Sequence, residues 1–401
     1  MNKNIKLAVA GAVLALSASA NAGIIIPAGD WTVDIGGNVN SFYTRTKHSG
    51  ANVTANQDDT PMQVQTGLLP SAIGIGAKTR QNDLDVAFQF SMFTGSNANG
   101  GDNLSNNTIG NGGLGYSSLN IRQSYLSFGD KSWGTFLVGR NLGVFGSDAI
   151  LSDMTLLGVG SGAGSQGSST LGRIGSGYIY ADWKAQIAYT TPNFNGFEAA
   201  VAVTEGTGQI DNQNLGYEGK ASYSFAANDV TGKIWVGGKD LKIQTGATAG
   251  SATAAASGVI TERDARASEI GAKLAFAGAE LVGYYYDGKN VDSGNGTAIN
   301  TNAAGNVSSS WADRDNNGGY VQATYVLPFK TKIGASWGKS VIEKGGSDVR
   351  DAEREATIVG AYHPLTKHLN LVAEYNHLDV ENAAGTNGKS KTASLGAILF
   401  F

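Results

Sequence analysis

The sequence predicts an all-β chain closed as a transmembrane, antiparallel, up-and-down barrel of sixteen strands, with short turns at one end and long loops at the other. Three observations predict it. Apolar residues recur at every second position in one segment after another, the period of a strand with two unlike faces. The connections between these segments alternate strictly between tight turns and long stretches rich in Gly, Asn, Ser and Ala. Beyond the first 26 residues no apolar run reaches the roughly 18 residues that a membrane-spanning helix needs. Backbone amides in hydrocarbon must all be paired, so strands cross a membrane only as a closed barrel without a free edge.

The elements follow in order. Lys3 and Lys6 open a basic start, Leu7 to Leu16 form an apolar core, and Ala20-Asn21-Ala22 has the small-x-small pattern of a signal-peptide cleavage site. Residues 1–22 are therefore expected to be an export signal and 23–401 a single barrel domain. Loss of the two lysines moves the net charge from -4 to -6, and an acidic exported protein is a poor match for nucleic acid.

Alternation places strands at 31–45, 72–80, 83–93, 119–129, 133–140, 178–191, 196–204 and 216–226, then at 230–243, 266–276, 280–289, 318–327, 331–342, 354–363, 368–379 and 391–401. In the third, Leu84, Val86, Phe88, Phe90 and Met92 oppose Asp85, Gln89 and Ser91. Tight turns fall at Gln81-Asn82, Asp130 to Ser132, Pro192 to Asn195, Ala227 to Asp229, Ala277-Gly278, Pro328 to Lys330 and Pro364 to Lys367. One-sided loop lengths of this kind belong to outer-membrane barrels with periplasmic turns and external loops. A soluble sandwich also alternates, but sixteen strands, an export signal and sided loops fit it poorly. No stretch reads as an amphipathic helix, and Tyr223, Phe276, Tyr325 and Tyr375 are candidates for an aromatic girdle.

With no Cys, the chain excludes disulfide scaffolds and Cys-ligated metal or iron-sulfur centres. Two G-x-G-x-x-G matches, at 110–115 and 162–167, join no strand to a helix, and 57 glycines make chance matches expected. Asp313 to Gly318 opens like a calcium loop, yet the twelfth position is Thr324 and not a bidentate Glu. His48, His363, His368 and His377 are scattered, and no G-x-S-x-G accompanies them. Neither an enzyme nor a cofactor is expected.

Several ordered patterns resemble the general (diffusion) porins of Gram-negative outer membranes. Val33-Asp34-Ile35-x-Gly37 looks like their first strand, and Gly134-Thr135-Phe136 to Gly139-Arg140-Asn141-x-Gly143-Val144 like the fifth strand entering the third loop. Tyr189-x-x-Pro192-x-Phe194-x-Gly196-Phe197 and Gly360-Ala361-Tyr362-x-x-Leu365-Thr366-Lys367 look like two of their turns. Phe401, closing the last alternating series, resembles the signal that hands such chains to the barrel-assembly machinery.

The resemblance implies a homotrimer in outer-membrane lipid, each barrel a water-filled channel for ions and small hydrophilic solutes. It also implies a third loop folded into the lumen, its carboxylates facing wall arginines. On that reading Asp148 and Asp153 lie on the loop, with Leu157 where a second acid is expected. Arg122, sharing parity with Ser124, and Arg173 would face them, while Arg140 would anchor the loop root or touch a neighbouring subunit. Asn38, Lys220, Glu218, Lys273, Glu269 and Glu374 would line the watery wall. A substrate-selective channel for a sugar, phosphate or small carboxylate is the alternative function.

Overall fold

The computed structural model describes residues 23–50, 59–96, 119–163, 169–205, 207–208, 214–245, 261–291, 313–345 and 348–401. Residues 1–22, the glycine motif at 110–115 and much of the external loops lie outside the described residues. Sixteen strands make the wall. They are β1 Trp31–Gly50, β2 Ser71–Gln81, β3 Leu84–Thr94, β4 Asn120–Asp130, β5 Gly134–Leu142, β6 Trp183–Thr190, β7 Phe197–Thr204 and β8 Gly216–Ala227. The second half adds β9 Val230–Thr245, β10 Thr261–Phe276, β11 Ala279–Lys289, β12 Asp315–Val326, β13 Lys332–Ile342, β14 Ala352–Pro364, β15 Leu369–Glu381 and β16 Asn387–Phe400. Each pairs antiparallel with its neighbours in sequence, and β16 pairs with β1 from Gly388↔Gly50 to Phe400↔Asn38, which closes the ring.

Three short strands supplement the sixteen. Ile24–Ala28 continues along the edge of β1 beyond the point where β16 ends, with Ile24 opposite Ile35. Phe401 is tied there by Gly37 N–H to its carbonyl at 2.8 Å and by its own N–H to Gly37 O at 3.1 Å. Met62–Gln65 and Thr207–Gly208 pair with β1 and β9 respectively.

Burial runs opposite to that of a water-soluble domain. On β3, Phe88 and Phe90 point outward and are exposed, whereas Gln89 and Ser91 point inward and are buried. The same inversion holds on β7, β12 and β16, where Val201, Val321 and Leu395 are exposed beside buried Ala202, Gln322 and Ser394. A continuous apolar exterior of this extent is a surface made for hydrocarbon. Tyr223, Phe276 and Tyr325 sit outward within one turn-proximal stretch of their strands, as a girdle requires, while Tyr375 lies farther from its turn. The tight turns are set by residues able to take positive φ, Asn82 and Asp83 at 49° and 62°, Ala277 and Gly278 at 50° and 83°. Two-residue turns of this hand match the twist of the strands they join.

Two differences from the sequence reading have plain causes. The segment 178–182, expected to begin the sixth strand, is instead buried chain of the third loop, because Tyr178, Ile179, Tyr180 and Ala181 pack inside the barrel and not on a two-faced wall. That loop also contains a short helix α1, Ser147–Ser152, and a 3-10 turn, Met154–Leu157, both too short to produce a helical period. Among the described residues no helix is long and apolar enough to cross a membrane.

Candidate functional site: the infolded third loop

The described parts of the connection between β5 and β6, residues 143–163 and 169–182, lie against the inner wall from β8 round to β15. The loop backbone could not be buried there unless its N–H groups found acceptors, and the wall supplies them from inward-pointing carboxylates. Val144 N–H and Phe145 N–H donate to Glu218 Oε2 at 2.7 and 3.0 Å. Gly146 N–H, at φ 78°, donates to Glu269 at 3.1 Å, and Tyr284 O–H donates to the same carboxylate at 2.8 Å. Farther along, Val159 N–H and Gly160 N–H both reach Glu374 Oε2 at 2.8 Å, while Tyr362 O–H donates to Oε1 at 2.7 Å. Gln322 serves both polarities, accepting from Met154 N–H at 2.8 Å and donating to Ser152 O at 2.9 Å. The approach is close enough that a Cβ at Gly158 would run into the Glu374 carboxylate, which would have to move off the loop backbone to make room.

Beneath the loop is an apolar bed. Phe145, Ala149, Ile174, Tyr178 and Ile179 pack on wall residues Trp235, Tyr284, Tyr286 and Tyr320, and Tyr320 O–H donates to Ala149 O at 2.8 Å. A second cluster joins Met154 and Val159 to Phe42, Ile358, Tyr362 and Ile398. The other side of the loop is met by the chain before β2, where Leu68 N–H donates to Gly158 O at 2.9 Å and Thr170 N–H to Gly67 O at 3.1 Å.

Asp148, on α1, forms ion pairs with two lysines of the wall. Lys220 reaches it at 2.9 Å and also donates to Ser147 Oγ at 2.8 Å, and Lys233 forms a second ion pair with it. Burial pushes its carboxyl up, but Lys220 and Lys233 together overcome that, and the group is held below the usual carboxylate range. Asp182, at the loop's exit, is raised by burial instead. Lys273 pairs with Glu280 at 2.8 Å and faces Lys233 across β9 and β10.

Several expected site residues stand elsewhere than the sequence placed them. Asp153 does not look across the lumen at arginines. It accepts from Thr155 N–H at 2.9 Å, Arg173 N–H at 3.2 Å and Tyr178 O–H at 2.9 Å, all within the loop. Arg173 is a loop residue with no exposed surface; its guanidinium donates to Ser336 Oγ at 2.6 Å, Ala356 O at 3.1 Å and Ser176 O at 3.2 Å, bolting the loop to β13 and β14. Arg122 does point inward, but not by parity with Ser124, which pairs with outward Phe90. The register shifts by one residue near Ser91 and Met92, so Arg122 is the extra residue of a bulge. Its guanidinium lies 4.8 Å over Phe93 and 6.0 Å from the Trp183 ring, and it is 5% exposed.

The watery wall is likewise smaller than expected. Asn38 is 1% exposed and donates to Pro70 O at 3.1 Å. Glu218, Glu269 and Glu374 are buried loop anchors, and Glu218 additionally forms a buried ion pair with Lys184. Of the residues expected to line the wall, Lys220 and Lys273 keep open surface, with 21% and 37% of their side chains exposed. Arg140 points outward and reaches Glu205 at 3.6 Å. At the calcium-like stretch, Asp313 is engaged by Lys289 at 3.1 Å and Asn290 at 3.0 Å. The signal that could have revealed Lys233 is the same inward parity that marked Lys220 and Lys273.

The closed barrel is a fold found among solved outer-membrane channels. The anion-selective porin from Comamonas acidovorans superposes with a TM-score of 0.60 at 16% identity, covering 92% of this chain and 100% of that one. The DcaP channel of Acinetobacter baumannii gives 0.64 at 14%, covering 95% and 100%, and Salmonella typhi OmpF in complex with daunomycin gives 0.63 at 16%, covering 94% and 100%. No curated protein sequence matches the chain. The profile of the Gram-negative porin family, by contrast, matches residues 7–383, and the chain belongs to that family, which with its barrel fold makes it an outer-membrane protein.

Proposed function

We propose that the chain is exported with residues 1–22 as signal, assembles as a homotrimer, and conducts ions and small hydrophilic solutes by passive diffusion through a neck that residues 143–182 narrow. The observation that supports this reading best is the anchoring of the loop. Glu218, Glu269, Gln322 and Glu374 receive its backbone donors at four places inside the barrel, so it stays in one position as a permanent restriction. Passage then needs no covalent step. Confined charges orient dipolar solutes and make nonpolar ones shed ordered water before entry. In this reading the neck's charge comes from Asp148 with Lys220, Lys233 and Lys273. Asp153, Arg173 and Arg122 hold the geometry.

Reconstitution of the purified trimer into planar bilayers in potassium chloride tests the reading. Stepwise, voltage-independent conductance increments at low potentials are expected, and a protein that inserts without steps would overturn it. Assembly is tested separately. The ring of Phe401 lies over Gly37 on the outward face, where a Cβ at Gly37 would meet it at 2.9 Å. Phe401→Asp is expected to lower outer-membrane levels and leave unfolded chain in the periplasm; wild-type surface levels would remove the residue's role as an assembly signal.

A further inference from the structure

One lane of the wall is made from two pieces of chain. β16 ends with Phe400 opposite Asn38, and beyond that point the same side of β1 is paired with Ile24–Ala28, from Ile24↔Ile35 to Ala28↔Trp31. All five residues of this short strand are exposed, so little burial holds it in place. Gly23, just before it, lies at the junction. A Cβ at Gly36 would stand 3.3 Å from Phe401 O, 3.8 Å from Gly23 Cα and 3.9 Å from Asp34 Oδ1, which puts the end of each piece beside one carboxylate.

That carboxylate is incompletely satisfied. Asp34 sits opposite Ile25 on β1 with the inward parity of Asn38, and its Oδ1 is buried without a hydrogen-bond partner. Lys78 on β2, opposite Thr32, bears on Asp34 through charge but does not reach that oxygen. A buried carboxylate oxygen without a donor is costly. Gly23 backs directly on to it, since a Cβ there would come to 2.5 Å from Oδ1 and 3.4 Å from Cγ. The Gly23 nitrogen, one bond from the same Cα, is an uncharged amide while Ala22 is attached. Hydrolysis of the Ala22–Gly23 bond leaves a carboxylate on Ala22 and an amine on Gly23, which at neutral pH takes up a proton and becomes an ammonium with three donors.

We propose that Asp34 is the receptor for the α-ammonium that signal cleavage creates at Gly23, and that maturation thereby fastens Ile24–Ala28 to β1 and completes the lane beyond Phe401. The proposal rests on cleavage after Ala22, read above, and goes beyond it. While Ala22 is attached, the buried oxygen of Asp34 has no donor. Once the bond is cut, the same oxygen takes a charge-assisted hydrogen bond, roughly twice as strong as a neutral one. Removal of the signal then adds to the wall the one contact that its weakest strand lacks.

The test measures hydrogen-exchange protection of the Ile24, Ile25 and Ile26 amides in the refolded barrel, with the chain beginning at Gly23 or, for comparison, at Ala20, which moves the ammonium three residues away. In the Gly23 chain Asp34→Asn is expected to lower protection about tenfold at neutral pH, the effect of one bond to a charged group. Acetylating the Gly23 amine, which removes its charge, is expected to bring wild type to the same level. The Ala20 chain is expected to start at that lower level and to be unchanged by Asp34→Asn. Protection that Asp34→Asn leaves intact in the Gly23 chain would give the ammonium to Phe401 O and overturn the proposal. An equal loss in both chains would make Asp34 a structural residue that acts without the ammonium, and would overturn it as well. Mass spectrometry of the protein purified from outer membranes tests the cleavage reading by itself. A start other than Gly23 refutes that reading and the proposal with it, whereas either exchange result leaves the cleavage reading standing.

Discussion

Glu218→Ala is expected to cost about 3–5 kcal/mol of barrel stability, the usual loss when one partner of a buried ion pair is removed and the other is left behind. The partner is Lys184, whose side chain is 5% exposed against 1% for Glu218. The same change leaves Val144 N–H and Phe145 N–H without their acceptor at the root of the loop. Urea denaturation of the refolded protein, followed by tryptophan fluorescence, reads the first effect as a lowered midpoint. Bilayer recording reads the second, because a loosened root lets the loop leave its seat, and larger, noisier steps are expected. Glu218→Gln keeps an acceptor for the backbone but not the charge for Lys184, and is expected to lose stability while retaining quiet steps. A wild-type midpoint and wild-type steps in Glu218→Ala would show that the loop is held by its apolar bed alone.

Asp148→Asn is expected to produce the largest change in ion choice. It removes the negative charge that Lys220 and Lys233 share, leaving two ammonium groups at the neck, and reversal potentials in a salt gradient shift towards anions. The Debye length falls from about 10 Å at 0.1 M to about 3 Å at 1 M, so the shift is expected to shrink steeply with salt. Lys131→Gln, in the exposed turn between β4 and β5, is the control and is expected to change little. The pH dependence has a definite sign. Because the folded carboxyl of Asp148 sits below its ordinary value near 4, its charge and its stabilising pairing are present above that value and are lost only as pH falls through the lowered folded pKa. The Asp148 contribution to selectivity is therefore expected to stay constant from about pH 5 to 8 and to be lost only in stronger acid. Indistinguishable reversal potentials for Asp148→Asn and Lys131→Gln at low salt would place the filter elsewhere.

Much of the wall was legible in the chain because a strand between lipid and water writes its two environments at alternate positions. Phe88 and Phe90 against Gln89 and Ser91 is such a record, and the edges of β2, β3, β7 and β11 fall within one residue of those the alternation predicts. The site was less legible because three-dimensional contact decides which inward residues stay wet. Glu218, Glu374 and Lys220 carry the same inward parity, yet the loop covers the first two, turning them into backbone acceptors, and leaves Lys220 partly open. A one-residue bulge at Arg122 has no signature in local composition, and it alone turns that side chain inward. Arg173 reads as a wall charge until the loop's path shows it bolted to Ser336 and Ala356. The sequence by itself determined the barrel and its one-sided loop lengths, because periodicity and turn chemistry are local, while the infolding of the third loop was implied by the resemblance to porins. Only the tertiary structure decided which charges brace that loop and which face the lumen, because burial depends on what residues 143–182 come to rest against.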